Sequence, residues 1–231
     1  MTDPIRRQRR LQSLRQRLSA PQDAYERCRI YPCTNRTTSD RGEGLNRLYC
    51  RKHIEFYRRH GSYTKRSYGA AELRQYRQRA IKWLQDQHDD LNIRHASEGV
   101  RRLYRAAGTP VEAFRLAGMS PRDRAKSTWA QLRKREVDPL EVVAAWLAVD
   151  MRLRDDLQPD RHEEYQHVQV AKLIHRMAGG THKRWERERS DGSVETTELH
   201  KHPVSRGRVL RTIGRQLAAV CGGLEIHGGT T

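Results

Sequence analysis

Apolar side chains recur at helical spacing through most of the chain between Ala71 and Val220, with polar and charged residues filling the positions between them. Leu73, Tyr76, Ala80, Trp83 and Leu84 stripe one side of a helix predicted over 71–87. Val100, Leu103 and Tyr104 mark a second over 97–107, closed by Gly108. A short helix over 111–116 and a longer one over 120–135 follow. The clearest start signal comes next: Asp138 as N-cap, Pro139 at the first helical position and Glu141 placed to complete a capping box. That helix carries Val142, Val143, Trp146, Leu147 and Leu153, and Gln158-Pro159-Asp160 reads as the break after it.

Beyond the break, a helix is predicted over 163–177, ended by Gly179-Gly180. The pattern then changes. Residues 181–200 are polar and split by Asp191-Gly192, a type I′ hairpin signal between two extended runs. Pro203 and Ser205 introduce a last helix with Val209, Leu210, Ile213, Leu217 and Val220 on one side. Near the N-terminus, Leu11, Leu14 and Leu18 fall at helical spacing in an arginine-rich arm that Ala20-Pro21 would end.

Composition changes this picture in one respect. Of 231 residues, 46 are Lys or Arg and 28 are Asp or Glu, a formal net charge of +18, and the hydrophobic set is only 35%. The core must therefore be modest or split. No stretch approaches the length of a transmembrane helix, and the first twenty residues lack an apolar signal region, so the expectation is a cytoplasmic protein, nucleoid-associated if it binds DNA. The charge is uneven. Residues 1–68 carry 17 basic and 6 acidic side chains, 69–160 carry 17 and 14, and 161–231 carry 12 and 8. Most of the basic residues are Arg, whose planar guanidinium matches phosphate oxygens and stacks on bases, so nucleic acid is the expected partner.

Three of the four cysteines lie in the same basic third, followed by a histidine: Cys28, Cys33, Cys50 and His53, spaced Cys-x4-Cys-x16-Cys-x2-His. This spacing suits a structural zinc site. A tight turn, Cys28-Arg-Ile-Tyr-Pro-Cys33, offers two thiolates; Cys50 and His53 share one face of a helix's first turn. Four protein ligands leave no open position, so such a metal folds the segment and does no chemistry. Disulfides would need an oxidising compartment, and three clustered cysteines cannot all pair. Cys221, on the apolar side of the last helix, reads as a packed thiol.

Residues 28–63, with CRIYPC followed by GLNRLYCRKHIEFYRRHGSY, resemble the small zinc-binding clusters of phage and mobile-element proteins, several HNH-type endonucleases among them. Those clusters combine a Cys-x4-Cys knuckle, a Gly-Leu-x-Cys run and a basic helix ending in Gly; here an insertion separates Gly44-Leu45 from Cys50. The resemblance is specific for the ligands. It implies nucleic-acid association in a mobile-element setting, and does not by itself imply nuclease activity.

Together these signals give a mainly α protein: a basic arm (1–22), a small treble-clef-like zinc module (23–68), a helical domain (69–160) that could also dock a protein partner, and a C-terminal helix–hairpin–helix unit (161–231). The expected phosphate contacts are Arg6, Arg7, Arg9 and Arg10 in the arm, Arg51, Lys52, Arg58, Arg59, Lys65 and Arg66 on and after the zinc helix, and Arg187, Arg208, Arg211 and Arg215 in the C-terminal unit. His60 extends the patch, and Tyr63 and Tyr68 lie among its charges, where they could stack on exposed bases although packing is the commoner use of each. DNA is favoured over RNA, and the function expected is that of a non-catalytic accessory or regulatory DNA-binding protein.

Two other functions are weighed against it. One is an RNA-binding or protein-docking module using the same basic surface. The other is a metal-dependent nuclease built on Asp155, Asp156, Asp160, His162, Glu163 and His167, although these straddle a helix–loop–helix junction where acids are favoured anyway. His182, His200 and His202 flank or end the hairpin, but the last helix lacks the Asn or His of a ββα nuclease core. The stretch from Thr109 to Leu132 begins like a helix-turn-helix, with Arg124 and Ser127 at positions that usually pack apolar side chains.

Overall fold

In the computed structural model, which describes residues 8–12, 15, 27–37, 39–40, 44–45, 48–190, 193–204, 207–224 and 226, local capping chemistry decides where most of the long helices start. Two short strands, β1 (Ser39–Asp40) and β2 (Gly44–Leu45), precede helix α1 (Arg51–His60). Helix α2 (Ala70–Asp86) starts at Gly69, whose N–H donates to Glu72 Oε2 at 2.5 Å. Helix α3 (Leu91–Arg105) starts at Asp90, whose Oδ1 accepts from the N–H of Asn92 at 2.6 Å and of Ile93 at 3.3 Å. This cap lengthens the helix expected over 97–107 by two turns. Ser120 caps α4 (Pro121–Lys134), and Asp138 caps α5 (Pro139–Arg154), its Oδ1 accepting from Leu140 N–H at 2.9 Å. The capping box expected of Glu141 does not close: its carboxylate accepts from Arg77 at 2.8 Å instead.

Helix α6 (Glu163–Ala178), strands β3 (Thr181–Glu188) and β4 (Val194–Lys201), and α7 (Arg208–Cys221) complete the chain. Residues 8–12 of the basic arm are helical and exposed; Arg6, Arg7, Leu14, Leu18 and the Ala20-Pro21 stop lie outside the described residues. The chain divides into two compact units, Met1–Arg58 and Arg59–Thr231.

The second unit is built around α5, which is buried on every side: Val142 through Val149 are all in the core. A helix apolar all round has nowhere to go but the centre. Helices α2, α3 and α6 pack against it, and α7 lies on α3, α4 and α6. Leu73, Val100, Trp129 and Leu147 share one core with Ile174 and Leu217, so the division expected at residue 160 falls inside a single apolar cluster. Cys221 is fully buried there, and burial pushes its thiol up to about 12, as a packed thiol requires.

Close backbone approach sets the α6–α7 contact. A Cβ on Gly214 would lie 2.5 Å from both Cβ and O of His167. Gly214→Ala is therefore expected to destabilise the unit by about 1–3 kcal/mol, the usual cost of overpacking, seen as a lower urea midpoint with an unchanged m-value.

The helix-turn-helix suggested by residues 109–132 is not formed. Ala113–Leu116 is one 3-10 turn rather than a helix, and Ser127 is buried because its Oγ bonds the backbone of Val111 at 3.3 Å. Ala125, Trp129 and Leu132 face the core.

Strands β3 and β4 form an antiparallel ribbon of eight rungs, Thr181 opposite Lys201 through Glu188 opposite Val194. The expected turn residues Asp191 and Gly192 lie outside the described residues. Their flanks show a loop one residue longer than a two-residue type I′ turn, because Arg189 N–H bonds Ser193 O at 2.8 Å.

Candidate metal centre and basic surface

A chain that turns back between Cys28 and Cys33 needs its backbone groups paired. Cys33 N–H closes the turn on Ile30 O at 2.7 Å, and Cys28 N–H bonds Asn35 O at 3.0 Å. Arg27 and Arg36 bridge across the base, and Arg29 N–H bonds Leu48 O at 2.9 Å, tying the turn to the run that enters α1. The insertion before Cys50 contains the two-rung pair β1–β2, with Ser39 opposite Leu45 and Asp40 opposite Gly44. Ile54 N–H then bonds Cys50 O, placing Cys50 and His53 together at the first turn of α1.

These constraints bring the four expected ligands to one point. Cys28 Sγ and Cys50 Sγ each lie 3.3 Å from His53 Nδ1, and Cys33 Sγ lies 3.9 Å from Cys50 Sγ. The four ligand atoms all fall within 4.8 Å of one another, so this Cys3His group could hold a metal ion. Burial opposes the Cys50 thiolate, but hydrogen bonds from the His53 backbone and the neighbouring thiols and Asn35 outweigh it, holding the thiol below its ordinary range. Asn35, which donates to Cys50 Sγ at 3.9 Å, is a supporting residue that the ligand spacing alone does not reveal. Tyr31, at the tip of the turn, is 93% exposed. An aromatic residue held between two ligands in so tight a turn has no core to enter, and that placement is its only signal in the sequence.

Among its described residues, the first unit buries only Thr37 besides these ligands. Cys28 and Cys50 are its only buried apolar side chains, and α1 buries none of its residues. The ligand cluster stands where a core would be.

The expected phosphate contacts divide into two groups. Arg9, Arg10, Arg51, Lys52, Arg59, Arg66, Arg187, Arg208 and Arg215 are exposed, and Arg58 is half-buried. On α1 the exposed row Arg51, Lys52 and Arg59 includes one acid, Glu55, which pairs with Arg51 at 3.2 Å. Lys65 and Arg211 are engaged inside the protein. Lys65 Nζ meets Asp156 Oδ2 at 2.7 Å and Gln158 O at 2.6 Å; Arg211 is held by Glu164 and by Gly207 O. His60 adds no charge, because burial together with the Lys172, Arg59 and Arg66 charges lowers it to about 4. Its Nδ1 instead receives the N–H of Ser67 at 3.0 Å.

Tyr68 is buried rather than available for stacking on bases. Its hydroxyl donates to Asp156 Oδ2 at 2.6 Å, its ring meets Tyr165 edge-on at 5.7 Å, and Arg152 lies 4.7 Å above its face. Asp156 is thus the counter-ion of a structural cluster of Lys65, Tyr68 and Arg152. Among the described residues, the acids and histidines between Asp150 and His167 do not bring three ligand atoms within reach of one metal ion.

None of the described helices is long and apolar enough to cross a membrane. No protein-family model, curated protein or solved structure matches the chain.

Proposed function

We propose that the chain is a zinc-stabilised, non-catalytic nucleic-acid-binding protein, accessory or regulatory in role, with duplex DNA as its preferred partner. The observation that carries this reading is the Cys28–Cys33–Cys50–His53 cluster at the foot of α1, a helix whose exposed row presents Arg51, Lys52 and Arg59. Three thiolates and an imidazole favour zinc among the common divalent ions, and four protein ligands close the tetrahedron. Knuckle, short strand pair and helix follow one another as in a treble clef, and the ligand spacing resembles that of phage and mobile-element proteins, which is the setting proposed for this chain. A helix pinned at its first turn can lie along a phosphate track or in a groove without first being ordered by the DNA.

The experiment is a salt titration of binding to duplex DNA, single-stranded DNA and structured RNA. The log–log slope should be about −0.9 for each phosphate neutralised on the duplex. Arg51→Ala, Lys52→Ala and Arg59→Ala should each flatten it by roughly that amount. An affinity indifferent to salt, or a slope unchanged by all three substitutions, contradicts the proposal. Tighter binding to structured RNA at equal salt would move the assignment to an RNA-binding module.

A further inference from the structure

We infer a second metal site, independent of the first, on the outer face of the β3–β4 ribbon, formed by His182, Glu198 and His200 and suited to a borderline divalent ion such as Zn²⁺ or Ni²⁺. The ribbon's register creates it. His182 faces His200 on the second rung, and Glu198, two residues before His200, projects from the same face. A two-residue turn at Asp191-Gly192 would have set His182 opposite Lys201, putting both His200 and Glu198 on the other face. The longer loop shifts the pairing by one residue and gathers the three together.

Their ligand atoms are already gathered, although the two rings do not yet converge on one point. The two imidazoles stack with centroids 4.0 Å apart and planes 10° from parallel. His182 Nε2 lies 3.8 Å and His200 Nε2 3.4 Å from Glu198 Oε2, and the three ligand atoms fall within 4.8 Å of one another. Metal–ligand bonds of about 2.0–2.1 Å at tetrahedral angles place ligand atoms roughly 3.3 Å apart, so the separations nearly fit, and tilting the exposed rings out of their stack aims both ring nitrogens at one ion. Arg184, opposite Glu198, directs its guanidinium to Glu186 at 3.4 Å rather than to this carboxylate. All three ligands are exposed, so water fills the remaining coordination positions.

Imidazole and carboxylate together suit zinc and nickel, whereas the ions that prefer all-oxygen shells gain little here. The ion would also have a mechanical effect. Both faces of the ribbon are largely exposed, and a lone two-stranded hairpin is marginally stable in water. A metal across the second rung staples the strands at their base, between the end of α6 and the start of α7.

The test uses the full chain with its cysteine cluster loaded with zinc, titrated with Ni²⁺ and followed by calorimetry and by the metal content of the dialysed protein. The wild type should take up one further ion per chain. His182→Ala and His200→Ala should each weaken that uptake at least about tenfold, and Glu198→Gln several-fold. Zinc in the cysteine cluster and the far-ultraviolet circular dichroism should stay unchanged in all three. Cys50→Ser should keep the hairpin ion, which separates this site from the first. Equal uptake by wild type and the His182→Ala/His200→Ala double variant overturns the inference, as does the absence of any further ion in the wild type.

Discussion

Cys50→Ser should yield a protein that holds no metal at its N-terminal cluster and has lost at least about tenfold in affinity for duplex DNA, while residues 59–231 keep their helices. Cys50 is 2% exposed and sits at the junction of the cluster, with Cys33 Sγ, His53 Nδ1 and the Asn35 amide all directed to its sulfur. A serine hydroxyl in its place is smaller, harder and not ionised near neutral pH, so one of the four ligands is lost outright. In a domain with a conventional core, that loss would cost affinity for the ion and little else. Here the described part of the first unit buries no apolar side chain apart from two of the ligands themselves. Binding free energy at structural zinc sites, roughly 10–16 kcal/mol, is then folding free energy. Metal content, circular dichroism and DNA affinity should fall together. A chelator acting on the wild type should reproduce all three effects, and added zinc should reverse them. A Cys50→Ser protein that keeps its metal, or binds DNA as tightly without it, would remove the proposed role of the cluster.

The ligand set was legible because its chemistry is local. Cys-x4-Cys fits one turn of chain, and Cys-x2-His fits one turn of helix, so four residue identities and two short spacings carried the site. Helix α5 was legible for a similar reason, since Asp138 and Pro139 mark its start wherever it packs. The fates of Lys65 and Arg211 were not. The acid that neutralises Arg211 lies 47 residues away, and Tyr68 and Asp156, at the centre of the cluster holding Lys65, are 88 apart. A basic residue among basic residues looks solvated until the fold brings an acid to it. The start of α3 was missed because Asp90 follows two other polar residues, His88 and Asp89, and only the hydrogen bonds it accepts identify it as a cap. The hairpin was recognisable from Asp191-Gly192, but its register was not, and a shift of one residue decides which side chains face His182.

Asp156→Ala is expected to cost the second unit about 3 kcal/mol, the low end of the penalty for breaking a buried ion pair, because Lys65 and Arg152 are themselves only partly buried. The Asp156 side chain is 8% exposed, and its carboxylate serves Lys65 at 2.7 Å, Tyr68 at 2.6 Å and Arg152 at 3.6 Å. Removing it leaves Lys65 without its carboxylate, the Tyr68 hydroxyl without its acceptor and Arg152 with Glu72 alone at 3.4 Å, in a partly desolvated cluster that joins the segment after α1 to the end of α5. Neighbouring bonds limit the damage without replacing the charge. Gln169 accepts from Tyr68 N–H at 3.2 Å and donates to His60 O at 2.8 Å, and Tyr165 donates to Arg66 O at 2.6 Å. The same cluster makes stability depend on pH. Burial raises the Asp156 carboxyl, but hydrogen bonds from Lys65 and Tyr68 outweigh it and hold the group at about 2, below the ordinary 3.8. A carboxyl depressed in the folded state stabilises the protein above its unfolded value, and that contribution fades as pH falls from about 4 toward 2. Urea midpoints measured across that range should fall more steeply for the wild type than for Asp156→Ala. Pairing Asp156→Leu with Lys65→Met should recover part of the loss, because the variant then buries neither of the two charges. A loss below about 1 kcal/mol in Asp156→Ala, within the range of exposed ion pairs, would mean that the cluster is solvated and that Lys65 is available to a ligand after all.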